Sequence, residues 1–123
     1  MSISSQIILT GVLFLLIIGS GIWLSRLGKP YKTGIFTLHK LVAFTASVFS
    51  IVLIFNLFMT VKPNNLIFLF FLAAGISVAA LFATGALLSA GKLSYSALKI
   101  THIIATVAAF SLGSLSIYLL LKK

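Results

Sequence analysis

The sequence predicts an all-α integral membrane protein, folded as a four-helix bundle with up-down-up-down topology. Of its 123 residues, 61% are hydrophobic, and the mean hydropathy is +1.28. A soluble domain of this size could not bury so much apolar surface. A helix that spans a bilayer needs about 20 apolar residues, and four stretches reach roughly that length. The short connections make neighbouring helices antiparallel, so we expect one transmembrane domain over residues 1–123.

The four expected spans cover residues 7–24, 35–61, 66–90 and 96–121. The first lacks a basic leading region and is too long for a signal peptide, so it is interpreted as a true span. Segment 28–30 (Gly-Lys-Pro) ends it, because proline lacks a backbone donor and glycine has little helical bias. Segment 62–65 is predicted as a tight turn, and segment 91–92 separates the last two spans. The lone amide of Asn56 is expected to make an interhelical hydrogen bond.

The chain carries nine basic residues and no acidic ones, which gives a formal net charge of +9. These charges flank the spans, so anionic lipid headgroups are the expected partner and nucleic acid is not. Six lie on one side of the membrane and three on the other; they are Arg26, Lys29, Lys32, Lys40, Lys92 and Lys99, against Lys62, Lys122 and Lys123. The positive-inside rule places the larger group in the cytoplasm and both termini outside, in a bacterial or archaeal cytoplasmic membrane.

Two histidines, His39 and His102, lie near the starts of the second and fourth spans. Ionisable residues within spans are costly and usually functional. Each histidine follows a glycine, Gly28 or Gly91, by eleven residues. Because the second and fourth spans are expected to run parallel, both imidazoles should enter from the basic side at similar depth. Duplication of a helical hairpin would explain the matching distances.

Small side chains follow each histidine at steps of three and four, which keep to one helical face. They are Ala43 and Ala46 in the second span, and Thr106 and Ala109 in the fourth. We expect these faces to border a flat ligand that stands between the helices. Close packing of helices in lipid is the alternative for either stripe taken alone.

A haem iron held by one imidazole from each helix fits this pattern. Zinc would need further ligands, and the chain has no Cys, Asp or Glu to provide them. We therefore expect one haem b per chain, bound non-covalently because no thioether can form. Lys40 and Lys99 are candidates to meet the anionic propionates, although they could equally serve lipid headgroups. Gly21 and Gly85 lie near the depth of the histidines, where they would allow a ring edge, or simply another helix, to approach the backbone.

A four-helix membrane bundle with paired transmembrane histidines resembles the small b-type cytochromes. It is similar in outline to cytochrome b561-like proteins and to the haem-carrying membrane anchors of succinate dehydrogenase and fumarate reductase. The resemblance implies axial ligation by His39 and His102, and single-electron exchange with a quinone or a redox partner protein. The b561-like pattern has four histidines for two haems. Two histidines imply one haem, near the basic face.

Other classes of function stay open. A structural membrane subunit without a cofactor would use the histidines as interfacial packing residues. A small four-helix transporter would be expected to couple protons through a membrane carboxylate, and the chain has no acidic residue. A cytochrome of this kind would be an electron carrier or a subunit of a redox complex rather than a stand-alone enzyme. Self-association into a homo-oligomer is compatible with each of these.

Overall fold

The computed structural model describes all 123 residues. It is 86% helical and contains no strand, which confirms the predicted all-α class. The four helices are α1 (Ile3–Leu27), α2 (Thr33–Thr60), α3 (Asn65–Ala90) and α4 (Tyr95–Leu121). Each predicted span lies within one of these helices, except that α2 ends one residue before position 61. Helix α1 is longer than predicted at both ends, because the residues just outside the predicted span, Ser4 to Gln6 and Ser25 to Arg26, are polar or basic and an apolar window stops short of them.

Side chains outside the helices satisfy two helix N-termini. The Ser2 Oγ accepts a hydrogen bond from the backbone N–H of Ser5 at 3.1 Å. The Asn64 Oδ1 accepts one from the backbone N–H of Ile67 at 2.9 Å. Such N-cap bonds satisfy backbone donors that have no partner within the helix, and each is worth about 1 kcal/mol. The turn predicted at segment 62–65 therefore also starts α3.

Glycines end the first helix of each pair. Gly28 and Gly91 both have a φ of 68°, which L side chains adopt only with strain. The Gly28 N–H donates to the Leu24 carbonyl at 3.1 Å, and the Gly91 N–H donates to the Leu87 carbonyl at 3.2 Å. Helices α1 and α3 therefore end in a similar way. Each ends at the glycine that precedes a histidine by eleven residues.

The chain divides into two compact units. We call them hairpin 1 (Met1–Thr60), in which α1 packs on α2, and hairpin 2 (Val61–Lys123), in which α3 packs on α4. In hairpin 2 the Lys123 Nζ, after α4, donates to the carbonyl of Lys62, before α3, at 3.1 Å. The end of α4 therefore lies beside the start of α3, so the two helices are antiparallel, as predicted.

In hairpin 1 a side-chain hydrogen bond joins the start of α1 to the end of α2. The Asn56 Nδ2, near the end of α2, donates to the Gln6 Oε1, near the start of α1, at 3.0 Å. This confirms the expected interhelical bond of Asn56 and shows that α1 and α2 are antiparallel. One turn further along α1, Thr10 is buried and its hydroxyl has no hydrogen-bond partner. Two antiparallel helical hairpins therefore make up the fold.

The seams of both hairpins combine small and polar residues with four leucines, one isoleucine and one phenylalanine, whereas many other large apolar residues are exposed. The buried seam residues are Gln6, Thr10, Ser20, Leu24, Ala46, Leu53 and Leu57 in hairpin 1, and Ile67, Phe71, Ala74, Thr84, Ala105, Ala109, Ser116 and Leu120 in hairpin 2. Phe44, Phe55 and Ile104 are each more than 60% exposed. All four helices are long and apolar enough to cross a membrane, with mean hydropathy between 2.0 and 2.6. The protein is an integral membrane protein whose large side chains suit a lipid surrounding.

Candidate functional site

A buried serine holds the first histidine. His39 lies half-buried near the start of α2, and its Nδ1 is 2.8 Å from the Oγ of Ser20 on α1. The Ser20 hydroxyl also donates to the carbonyl of Ile17 at 3.0 Å. With its one proton directed to that carbonyl, the Ser20 Oγ can accept from the imidazole N–H. In that arrangement the His39 proton is on Nδ1, and the lone pair that can bind a metal is on Nε2.

The second histidine has the same kind of partner in hairpin 2. The His102 Nδ1 is 2.7 Å from the Oγ1 of Thr84 on α3, which is buried. The Thr84 hydroxyl reaches the carbonyl of Ala80 at 2.7 Å and that of Leu81 at 3.2 Å. With its proton directed to the backbone, the Oγ1 can accept from the imidazole N–H, as in hairpin 1. The same arrangement puts the His102 proton on Nδ1 and its lone pair on Nε2.

A glycine follows each hydroxyl residue and leaves room for the imidazole. A Cβ added at Gly21 would lie 3.2 Å from the His39 Cε1 and 3.8 Å from its Nδ1. A Cβ added at Gly85 would lie 3.6 Å from the His102 Cε1. Both predicted glycines thus lie beside a histidine, and the space they leave is filled by the imidazole edge. Whether a cofactor edge also touches them stays a prediction.

The two hairpins therefore repeat one arrangement, in which a hydroxyl residue and a glycine on the first helix hold a histidine on the second. The hydroxyl precedes the histidine by 19 residues in hairpin 1 and by 18 in hairpin 2. Sequence reasoning placed Gly21 and Gly85, the last residues of segments 19–21 and 83–85, near the depth of the histidines. It missed the role of Ser20 and Thr84 as histidine partners. The signal was present, because a hydroxyl residue directly precedes the glycine in both segments.

The small residues expected to border a ligand lie on the helix-pairing faces. Ala46 and Ala109 are only 1% and 4% exposed, and they pack within the seams of their own hairpins. Ala43 and Thr106 are half-buried, and the Thr106 hydroxyl donates to the His102 carbonyl at 2.8 Å. Close packing of paired helices accounts for the small size of Ala46 and Ala109. A role for these four residues in lining a ligand stays a prediction.

The two lysines expected near the propionates lie close to aromatic rings. The Lys40 Nζ is 4.1 Å from the centre of the Phe36 ring, and the Lys99 Nζ is 5.8 Å from that of Tyr95. These are cation–π contacts between residues four apart, near the N-terminal ends of α2 and α4. A ring contact leaves the charge of the ammonium in place, so each lysine can still attract an anion near its histidine.

An apolar groove of about 250 Å³ opens on hairpin 1 beside the serine that holds His39. It lies between α1 and α2, and its lining consists of Leu15, Leu16, Gly19, Ser20, Trp23, Leu38 and Val42. The groove thus reaches the surface of the hairpin at the level of the first histidine. The edge of an apolar molecule can approach the Ser20–His39 pair there.

Of the side-chain types His, Cys, Asp and Glu, the chain has only the two histidines, and no group of three or more of these side chains comes together. Fold and site define a helical membrane protein with one hydroxyl-held histidine in each of two hairpins. No protein-family model, curated protein or solved structure matches the chain.

Proposed function

We propose that this protein is a membrane b-type cytochrome that carries single electrons. In this proposal one haem b is ligated by His39 from hairpin 1 and His102 from hairpin 2. The observation that carries it is the repeated arrangement described above, in which each imidazole is held at Nδ1 by a buried hydroxyl. Histidines that bind metals usually donate their second N–H to a fixed acceptor, which sets the tautomer and the ring orientation.

The available donors suit haem better than a bare metal ion. Structural zinc sites take four protein ligands and catalytic ones take three, and this chain offers two imidazoles with no carboxylate or thiolate side chain. A porphyrin brings four nitrogens of its own, which leaves two axial positions for protein ligands. The absence of cysteine excludes a thioether link, so the group would be held only by its ligands and by packing.

The residues of the chain then have separate tasks. His39 and His102 bind through Nε2, while Ser20 and Thr84 hold their other ring nitrogens. Lysines at the starts of α2 and α4 attract the anionic propionates, and the apolar helices exclude water. When bound, a haem with two imidazole ligands supplies reversible one-electron chemistry and has no open position for oxygen. A quinone in the bilayer or a redox partner protein would exchange the electron.

Charge supports an orientation for the proposed cytochrome. The histidines follow the loops that, together with the helix ends beside them, carry six of the nine basic residues, and such loops are retained in the cytoplasm. We therefore place the haem near the cytoplasmic face of a bacterial or archaeal cytoplasmic membrane, with both termini outside. Anionic lipids would gather at the same face. An electron partner in the cytoplasm would then have the shorter path to the iron.

Spectroscopy of the purified full-length protein tests the proposal. After expression with ample haem supply, we expect one haem per chain and, on reduction, a sharp low-spin α band in the green. His39→Ala and His102→Ala should each abolish the low-spin spectrum. Thr37→Ala and Thr101→Ala, exposed neighbours on the same helices, are matched controls that should leave it unchanged. A protein without haem, or a low-spin spectrum that survives both histidine variants, would refute the assignment.

A structural membrane subunit without a cofactor is the second candidate. The observation that favours it is that each histidine forms a hydrogen bond with the other helix of its own hairpin. Interhelical hydrogen bonds of this kind stabilise membrane helices by about 0.6 kcal/mol on average. If the histidines only stabilise the pairing of helices, His39→Ala should lower the stability of hairpin 1, and the wild-type protein should take up no haem. Haem titration of the wild type therefore separates the two functions.

A further inference from the structure

We propose that Ser20 and Thr84 are positioning residues, which keep the imidazole proton on Nδ1 and so present Nε2 to the iron. The statement about the proton stands on the contacts of each hairpin alone. The statement about the iron rests on the proposed function. The two parts can be tested separately, because the position of the proton is measurable in the protein without haem.

The direction of the hydrogen bonds follows from the carbonyl groups behind the hydroxyls. The Ser20 proton is donated to Ile17 at 3.0 Å, and the Thr84 proton to Ala80 at 2.7 Å. Both hydroxyl residues are less than 10% exposed, so water cannot replace these bonds. Within a bilayer an unsatisfied polar group costs several kcal/mol. With the hydrogen bond reversed, each hydroxyl would make one hydrogen bond, to Nδ1, instead of two, so the reversed direction is disfavoured.

The contacts also fix the orientation of the rings. His39 is held at Nδ1 by Ser20, and its Cε1 lies over Gly21, where even a methyl group would be too close. The hydroxyl oxygen is a neutral acceptor, so its hydrogen bond with the imidazole N–H is weaker than one to a carboxylate would be. We therefore expect neutral imidazole ligands with a defined ring plane, rather than ligands with partial imidazolate character.

Nitrogen-15 NMR of histidine-labelled, haem-free, full-length protein in lipid nanodiscs tests the position of the proton. Both histidines should show a protonated Nδ1. Ser20→Ala should release His39 alone, and Thr84→Val, which keeps the side-chain shape, should release His102 alone. Ser47→Ala is the control, because the Ser47 hydroxyl donates to the Ala43 carbonyl in the same way but contacts no histidine. Protonated Nε2 in the wild type, or an unchanged His39 in Ser20→Ala, would overturn the proposal.

Haem-loaded protein tests the role toward the iron. Loss of a hydrogen bond behind a metal ligand typically weakens metal binding 10–100-fold. We expect Ser20→Ala to raise the haem dissociation constant about tenfold, to shift the electron paramagnetic resonance g values and to raise the redox potential. Ser20→Thr should restore all three. Unchanged g values, potential and affinity in Ser20→Ala would overturn the positioning role. A wild type that takes up no haem would instead overturn the proposed function, while the NMR result would still support the assigned proton position.

Discussion

Replacing Gly21 by alanine should displace His39, whereas the same change at Gly85 should leave His102 in place. At Gly21 the new Cβ would lie 3.2 Å from the His39 Cε1, and at Gly85 it would lie 3.6 Å from the His102 Cε1. Carbon atoms pack best at about 3.5–4.0 Å. The imidazole of His39 must therefore move by a few tenths of an ångström, and its 2.8 Å bond to Ser20 must lengthen or bend.

The two substitutions are expected to change the free energy of unfolding differently. Overpacking typically costs 1–3 kcal/mol, and alanine in a helix regains about 1 kcal/mol relative to glycine. Gly21→Ala should therefore destabilise hairpin 1 by roughly 1 kcal/mol, whereas Gly85→Ala should be neutral or stabilise hairpin 2 by up to about 1 kcal/mol. A misplaced ligand that weakens haem binding by about 1.4 kcal/mol corresponds to a tenfold higher dissociation constant.

The assay compares three alanine variants in the same detergent. Gly21→Ala, Gly85→Ala and the control Gly11→Ala, which has no atom within 4 Å of the added Cβ, are titrated with haem and then unfolded with dodecyl sulfate. Only Gly21→Ala should lose haem affinity. In haem-free protein the same variant alone should shift the nitrogen resonances of His39. Equal effects at Gly21 and Gly85 would refute the argument from distance.

Three further outcomes are expected. Ala46→Phe should destabilise hairpin 1 by about 1–3 kcal/mol, because Ala46 is 1% exposed in the seam; an unchanged dodecyl sulfate midpoint would contradict this placement. Asn56→Leu should cost about 0.6–1.7 kcal/mol, because it removes the donor to Gln6, and Gln6→Leu in the same background should then cost much less than alone. An impermeant thiol reagent applied to intact cells should label Asn64→Cys and not Thr33→Cys, and the opposite pattern would invert the proposed orientation.

The sequence alone predicts the number and length of the helices, because each apolar run must be long enough to cross a bilayer. It also predicts the interhelical bond of Asn56, since a single amide in a span has few other partners. Gln6 was missed as that partner, because a polar residue at the edge of an apolar run was placed outside the span. The N-cap hydrogen bond of Asn64 was also missed. The proline and asparagines of segment 62–65 predict a turn between two helices, but they do not show which side chain caps the second one.

The hydrogen bonds of the two histidines to Ser20 and Thr84 were not predicted from the sequence. Helical periodicity shows which residues share a face, but not which neighbouring helix that face contacts. The small residues that follow His39 were therefore assigned to the border of a ligand. The structure shows that Ala46 is buried in the seam of hairpin 1, and its contact with a ligand stays a prediction. Ser20 lies 19 residues before its partner, and only the rotation of α1 about its axis brings its hydroxyl to Nδ1.

Four lysines of this chain lie near aromatic rings, and no acidic side chain exists for any of them to pair with. The pairs are Lys29–Tyr31, Lys40–Phe36, Lys99–Tyr95 and Lys122–Tyr118. A ring attracts a cation without cancelling its charge. Electroneutrality must therefore come from outside the chain, from mobile ions or from the lipid of each leaflet. The protein should enrich the two leaflets unequally in acidic lipid, and its immediate lipid shell should exchange with rising salt as the Debye length shortens.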